Sequence, residues 1–159
     1  MGCGDDSGAD GGGAPGPNGN AGITRHTMQS SAVSPGSGFV LETGTVVPLS
    51  EDEENPLVDF VQLSTMVVLF YGVDLEFFPF CIQGDGFGTV AEVPADVATC
   101  EWEFKFQIAG NGSYTESQSA GVGMVLRDRN ERLYRLLIVE DHIDEQGVAT
   151  VAFDLLAVN

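Results

Sequence analysis

The chain has 159 residues, 43% of them hydrophobic, with a formal net charge of −18 and a sequence pI near 4.1. That length suits one domain with a real core. So acidic a chain is repelled by a phosphate backbone and by anionic lipid, which excludes nucleic-acid partners and electrostatic membrane binding, and no apolar run of about 18 residues predicts a spanning helix.

Residues 1–37 read as a disordered tail. Gly, Ser, Asn and Pro dominate, and the few apolar residues show no period. Such a segment cannot bury enough surface to offset its ordering entropy, so a flexible tether is expected. His26 and Met28 fall within it, where disorder would deny them a preformed metal site. The opening Cys3-Gly-Asp-Asp-Ser-Gly resembles the mature start of bacterial lipoproteins. That resemblance implies a lipid on Cys3, membrane contact through the anchor only, and a place in the bacterial cell envelope, on the outer membrane or the cell surface. Met1–Gly2 would then be a remnant ahead of the lipidated residue. A terminal cysteine plus two in the folded region is the count expected of such an exported protein. Cys81 and Cys100 can then form one disulfide.

The domain is expected over 38–159. Phe39–Glu42 and Thr45–Leu49 read as short strands around Thr43–Gly44, and Ser50–Asn55 as a solvated acidic loop without the alternating spacing of a calcium loop. Pro56–Leu63 is open between a short helical turn, capped by Asn55–Pro56, and a strand favoured by Val58 and Val61. Thr65–Tyr71 reads as a buried strand. Val73–Phe78 reads as another, broken or placed at an edge by Pro79. Gln83–Gly88 is a glycine-rich turn lacking the features of a phosphate loop. Phe87–Val93 is expected as a strand and Pro94–Thr99 as a turn or a single helical turn. Glu101–Ala109 is the clearest strand: Trp102, Phe104, Phe106 and Ile108 share one face, opposite Glu101, Glu103, Lys105 and Gln107. Burying those four apolar side chains contributes roughly 6–12 kcal/mol before entropy is subtracted.

After a polar loop at Gly110–Ser119, Gly121–Val158 predicts three strands in a meander. Val122, Met124 and Leu126, then Tyr134, Leu136 and Ile138, then Val151, Phe153 and Leu155 each alternate along one face, with turns at 128–132 and 141–147. The fold class is therefore all-β: a single antiparallel meander, sandwich-like or partly closed, after a disordered N-terminal tail.

Catalytic grammar is absent. His26 and His142 are the two histidines, and no serine lies in a nucleophile elbow, so no enzyme is expected. Arg127, Arg129, Arg132 and Arg135 gather four of the chain's six basic residues in one hairpin. Two readings stand: internal pairing with carboxylates such as Asp128 and Glu131, or an anchor for an anionic ligand. Met66 and Met124 are likewise core fillers or ligands.

The C-terminal third carries a second resemblance. Gly121-x-Gly123, Val125, Arg127-Asp128, Tyr134-x-Leu136-x-Ile138, Asp144, Gly147 and Phe153 resemble the end of the HmuY-like haem-binding lipoproteins. Phe39–Gly44 and Val73–Phe77 are similar to earlier strands of that family. The resemblance implies haem, or a related tetrapyrrole, held by axial His or Met. Here Met124, His142 and Met66 would be the iron ligands, with the arginine hairpin meeting the propionates. The alternative is a structural or adhesive surface lipoprotein that binds a protein or glycan through its sheet.

Overall fold

The computed structural model describes residues 22–30, 37–48, 58–64, 67–72, 77–110 and 112–159. Its strands are β1 (Thr24–Ser30), β2 (Ser37–Val40), β3 (Thr45–Pro48), β4 (Phe60–Ser64), β5 (Val67–Gly72), β6 (Phe80–Gly84), β7 (Lys105–Gly110), β8 (Gly123–Arg127), β9 (Leu133–Ile143) and β10 (Ala149–Ala157). The chain is all-β. One sheet runs β1-β10-β9-β8-β6 and the other β3-β2-β4-β5-β7, and every pairing is antiparallel. The two five-stranded sheets form a sandwich.

The core lies between them. Phe39, Phe60 and Phe70 come from the second sheet and Phe80 and Phe153 from the first, and all five are fully buried. Their rings interlock, with centroids 5.0 Å apart for Phe60–Phe70, 5.2 Å for Phe39–Phe153 and 5.7 Å for Phe60–Phe80. Tilted and edge-on contacts at these separations suit the aromatic quadrupole. The β8-β9-β10 meander expected from Gly121–Val158 is present, with Met124 opposite Leu136 and Phe153 opposite Ile138.

A bulge in β9 reorders its far end. Pairing passes from Phe153↔Ile138 to Ala152↔Glu140, so Val139 is the extra residue. An extra residue flips every later side chain to the opposite face. Asp141 and Ile143 therefore point into the core and His142 points out. β9 also runs on through Ile143, so His142 is a strand residue and not part of a turn spanning 141–147; the turn begins at Asp144. There Asp144 Oδ1 accepts the Gln146 and Val148 amides at 2.9 Å each, and Gly147 takes φ +83°.

The tail expected over 1–37 ends earlier than residue 37. Thr24–Ser30 forms β1, pairing with β10 from Thr24↔Leu155 to Ser30↔Ala149. An edge strand hides its period, because Arg25, Thr27 and Gln29 face solvent while Met28 is fully buried and His26 partly so. Glu101–Ala109 also departs from a single strand. Its alternation holds, but it changes sheets. Glu103 exchanges backbone bonds with Phe80 on β6, whereas Lys105–Gly110 pairs with β5. Strands that turn a corner between sheets do this. For 56–63, the described part is irregular at 58–59 and then strand β4, with 56–57 outside the described residues. Residues 73–76, the acidic loop at 50–55, Met66 and Cys3 also lie outside them. β6 begins directly after Pro79.

Phe87–Val93 is not a strand. It belongs to a loop, with one 3-10 turn at Val90–Glu92, that covers the outer face of the first sheet. Val90 and Val93 pack there on Leu137, and Arg135 Nε donates to the Val93 carbonyl at 2.7 Å. The Cys81–Cys100 disulfide, with Cα atoms 6.0 Å apart, fastens the loop to β6. Closing a loop of that length stabilises by about 3 kcal/mol in the chain-entropy account. Gly123 is the point of closest approach: a Cβ there would lie 2.6 Å from Val93 Cγ2 and 2.7 Å from Phe87 Cδ2. Gly123→Ala is expected to destabilise by about 1–3 kcal/mol through overpacking, read as a lowered urea midpoint with unchanged slope.

Candidate functional site

Of the residues expected to hold iron, the two that are described, Met124 and His142, do not converge. Met124 is fully buried in the core, packed among apolar neighbours. His142 lies six residues beyond Met124's partner Leu136 on β9, about 20 Å along the strand at its usual rise. It faces outward, with Nδ1 3.4 Å from Glu140 Oε2. His26, assigned to the tail from sequence, instead sits at the rim of the core. Its ring is 4.9 Å from Phe39 and 5.6 Å from Phe153, and Nε2 is 2.8 Å from Thr24 Oγ1. Burial holds its pKa below the usual imidazole value, with the Asp154 carboxylate pulling the other way.

The four arginines also part company. Arg127 donates Nε to the Phe78 carbonyl at 3.0 Å and lies over two rings, 4.7 Å from the Phe77 centroid and 4.2 Å from Trp102. Arg129 Nη2 donates to Val58 O at 2.8 Å, Arg132 pairs with exposed Glu42 at 3.6 Å, and Arg135 bolts down the outer loop. Each cation serves a local contact, so the hairpin presents no common anion cradle.

Beside that hairpin lies a cavity of about 260 Å³ lined by Val40, Glu42, Thr43, Asp59, Asp128, Arg129 and Asn130. Its carboxylates are engaged structurally. Asp59 Oδ2 accepts the Leu41 amide at 2.7 Å. Burial raises its pKa above the usual carboxylate range, and Asp128 adds to the rise, while the Leu41 and Arg129 amides and the Arg129 charge oppose it. Asp128 Oδ1 accepts the amides of Asn130 (2.8 Å) and Arg132 (3.0 Å), and Oδ2 accepts the Tyr134 hydroxyl at 3.0 Å. Tyr134 is pushed up to about 12, by burial first and by that bond second. These bonds close the β8–β9 turn, in which Glu131 takes φ +63°.

The β6 edge of the first sheet differs. Phe78, just ahead of this strand, and Ile82, within it, are the two exposed large apolar side chains among the described residues, at 41% and 37% exposure. Phe78 lies 5.9 Å from Phe104, next to Phe77, Trp102 and the Arg127 guanidinium stacked on them. A guanidinium over two rings stabilises by about 0.5–2 kcal/mol and holds the aromatic ridge in place. On the disulfide side is an open groove of about 390 Å³ lined by Cys81, Ile82, Gln83, Asp96, Thr99, Cys100, Glu101 and Glu103. Gln83 Nε2 donates to the Asp96 carbonyl at 3.0 Å and anchors its rim. Apart from the cysteines and Arg127, none of these residues was expected from the sequence in a site. The available signal was the adjacent pair Phe77–Phe78 before Pro79, too much apolar surface for a strand end.

Fold and edge together define a β-sandwich with an apolar, acid-flanked rim. Among the described residues, no group of three or more His, Cys, Asp or Glu side chains is placed to hold a metal ion, and no helix is long and apolar enough to cross a membrane. Comparison with protein-family models, curated proteins and solved structures gave no match.

Proposed function

We propose that this chain is a non-enzymatic lipoprotein of the bacterial cell envelope, tethered through Cys3, whose sandwich binds a macromolecular partner at its β6 edge. The observation that carries the reading is that both exposed large apolar side chains among the described residues, Phe78 and Ile82, belong to β6 and its lead-in, with Ile82 in a groove also lined by Asp96, Glu101 and Glu103. Singly scattered apolar side chains on a surface need no explanation, whereas apolar exposure beside such a polar groove fits a binding surface. The separation of Met124 from His142 gives the haem reading no comparable support.

The test is a binding assay on purified envelope fraction, run beside a haemin titration. Saturable binding is expected, weakened about tenfold or more by Phe78→Ala as for an interface anchor. It should be abolished by pretreating the envelope with protease if the partner is a protein, or with periodate if it is a glycan. A one-to-one Soret shift with haemin and no envelope binding would restore the haem reading and remove this one.

A further inference from the structure

We infer that the free edge of β6 takes an extended, basic peptide segment as an additional strand of the first sheet. This deepens the binding reading above and rests on it. The backbone supplies the first argument. Phe80 exchanges both its bonds with Glu103, at 3.2 and 2.7 Å, on the side away from β8, whereas the preceding Pro79 carbonyl accepts from Arg127 of β8 at 3.1 Å. Antiparallel ladders alternate, so the N–H and C=O of Ile82 also point away from β8. The Phe80–Glu103 bridge is isolated, so the ladder stops before reaching Ile82.

The other sheet edges carry the usual guards against strand addition. β1 bears Arg25, β3 ends in Pro48 and β7 opens on Lys105. β6, Phe-Cys-Ile-Gln-Gly, has neither charge nor proline within it; a bulge follows Ile82, before Gly84, and its exposed side chain is Ile82. An incoming strand would hydrogen-bond to Ile82 and cover its side chain.

Charge selects the partner. Asp96, Glu101 and Glu103 line the adjoining groove, and among the described residues no basic side chain forms an ion pair with any of them. Glu101 and Glu103 are alternate residues, about 6.5–7 Å apart along an extended chain, which is the spacing of same-face side chains on a partner strand. Lysine or arginine at alternate positions meets them, an apolar residue meets Ile82, and main-chain bonds supply affinity. The disulfide at the groove holds Cys81 and Cys100 together, so the edge and its carboxylates are fixed relative to each other.

The experiment uses the full chain and a dye-labelled hexapeptide of alternating lysine and valine, followed by fluorescence anisotropy. Saturable binding is expected. It should weaken at least tenfold for the same peptide with a central proline, which cannot complete the ladder, and for a glutamate-for-lysine version. Glu101→Gln with Glu103→Gln should weaken it about fivefold or more, and Ile82→Lys, which adds an edge guard to an already exposed position, should abolish it. Circular dichroism and an unchanged urea midpoint establish that the variants are folded. Equal binding of the proline-containing peptide would reduce the effect to bulk attraction by a chain of charge −18 and overturn the inference. Envelope binding that survives Ile82→Lys, or that periodate alone abolishes, would also overturn it while leaving the broader binding reading intact.

Discussion

Asp141→Ala is expected to lower the unfolding free energy by about 3–5 kcal/mol, measured by urea unfolding at neutral pH. Asp141 is fully buried, carried inward by the β9 bulge. Its Oδ2 accepts the Tyr114 hydroxyl at 2.5 Å and the Gln118 amide at 3.1 Å, and Oδ1 accepts the Ser119 amide at 2.9 Å. Its own amide donates to Ser117 Oγ at 3.0 Å. Burial, with this partner second, raises the Tyr114 pKa far above the usual phenol value. Truncation strips the acceptor from three donors, the buried Ser119 amide and the half-buried Tyr114 hydroxyl and Gln118 amide, and a buried donor without a partner costs about 1–3 kcal/mol. Asp141→Asn keeps one acceptor and is expected to lose about half as much, and Tyr114→Phe about 1 kcal/mol. A loss under about 1 kcal/mol for Asp141→Ala would contradict the inward placement.

The same carboxylate reaches the proposed binding edge through the backbone. It orders the segment around Gln118–Ser119, and Gly121 follows at φ +93°. The Gly121 carbonyl accepts the Phe87 amide at 3.1 Å, and a Cβ on Gly121 would come within 3.3 Å of Gly86 N. That contact seats the glycine turn at the end of β6. Peptide affinity in Asp141→Asn should therefore fall alongside stability, whereas Ile82→Lys separates the two.

The legible parts of the fold share a physical trait. Val122–Leu126, Tyr134–Ile138 and Val151–Leu155 each bury one face of a strand inside a sheet, so burial imposes period two on their residue types. The alternation at Glu101–Ala109 was visible for the same reason, but the corner within it was not, because backbone partners can change without altering which face is apolar. β1 stayed hidden because an edge strand needs few apolar residues: its ladder bonds to β10 do most of the holding, and main-chain bonds leave no trace in side-chain type. The β9 bulge was equally silent. One extra residue shifts the meaning of every position after it, so Asp141 read as part of a polar turn when it is the most enclosed carboxylate of the meander. The Phe87–Val93 segment shows the opposite error. Its valines suit a strand, yet they pack as a lid held by a disulfide and by Arg135.

The four arginines of the hairpin make separate contacts for a related reason. Side chains on one face of a strand-turn-strand unit can still reach different neighbours. By register Arg127 and Arg135 share the outer face of the first sheet, but they reach Phe78 and Val93 respectively, and Arg129 and Arg132 leave the turn in different directions. Clustering along the chain therefore did not become clustering in space, whereas Ile82, Glu101 and Glu103, separated along the chain, line one groove.

Phe153→Ala is expected to cost about 3–5 kcal/mol, a large share of the roughly 5–15 kcal/mol that stabilises a typical domain. The ring is fully buried where both sheets meet, 5.2 Å from Phe39, 6.3 Å from Phe60 and 6.2 Å from Phe70, so its removal leaves a cavity that rigid neighbours cannot fill. Phe153→Leu, which refills part of that space, should lose about 1–2 kcal/mol. Phe78→Ala removes the same side chain from a site 41% exposed and should stay within about 0.5 kcal/mol, so residue type alone does not set the cost. The buried variant also carries a local signature. His26 rests on the Phe153 ring at 5.6 Å, and burial holds its pKa below the usual value. Opening the cavity should let water in and move that pKa up toward its ordinary value in an NMR titration of the folded protein. Loss of stability with an unmoved His26 would mean that β1 does not pack on β10 beside this ring, and the strand would return to the tail.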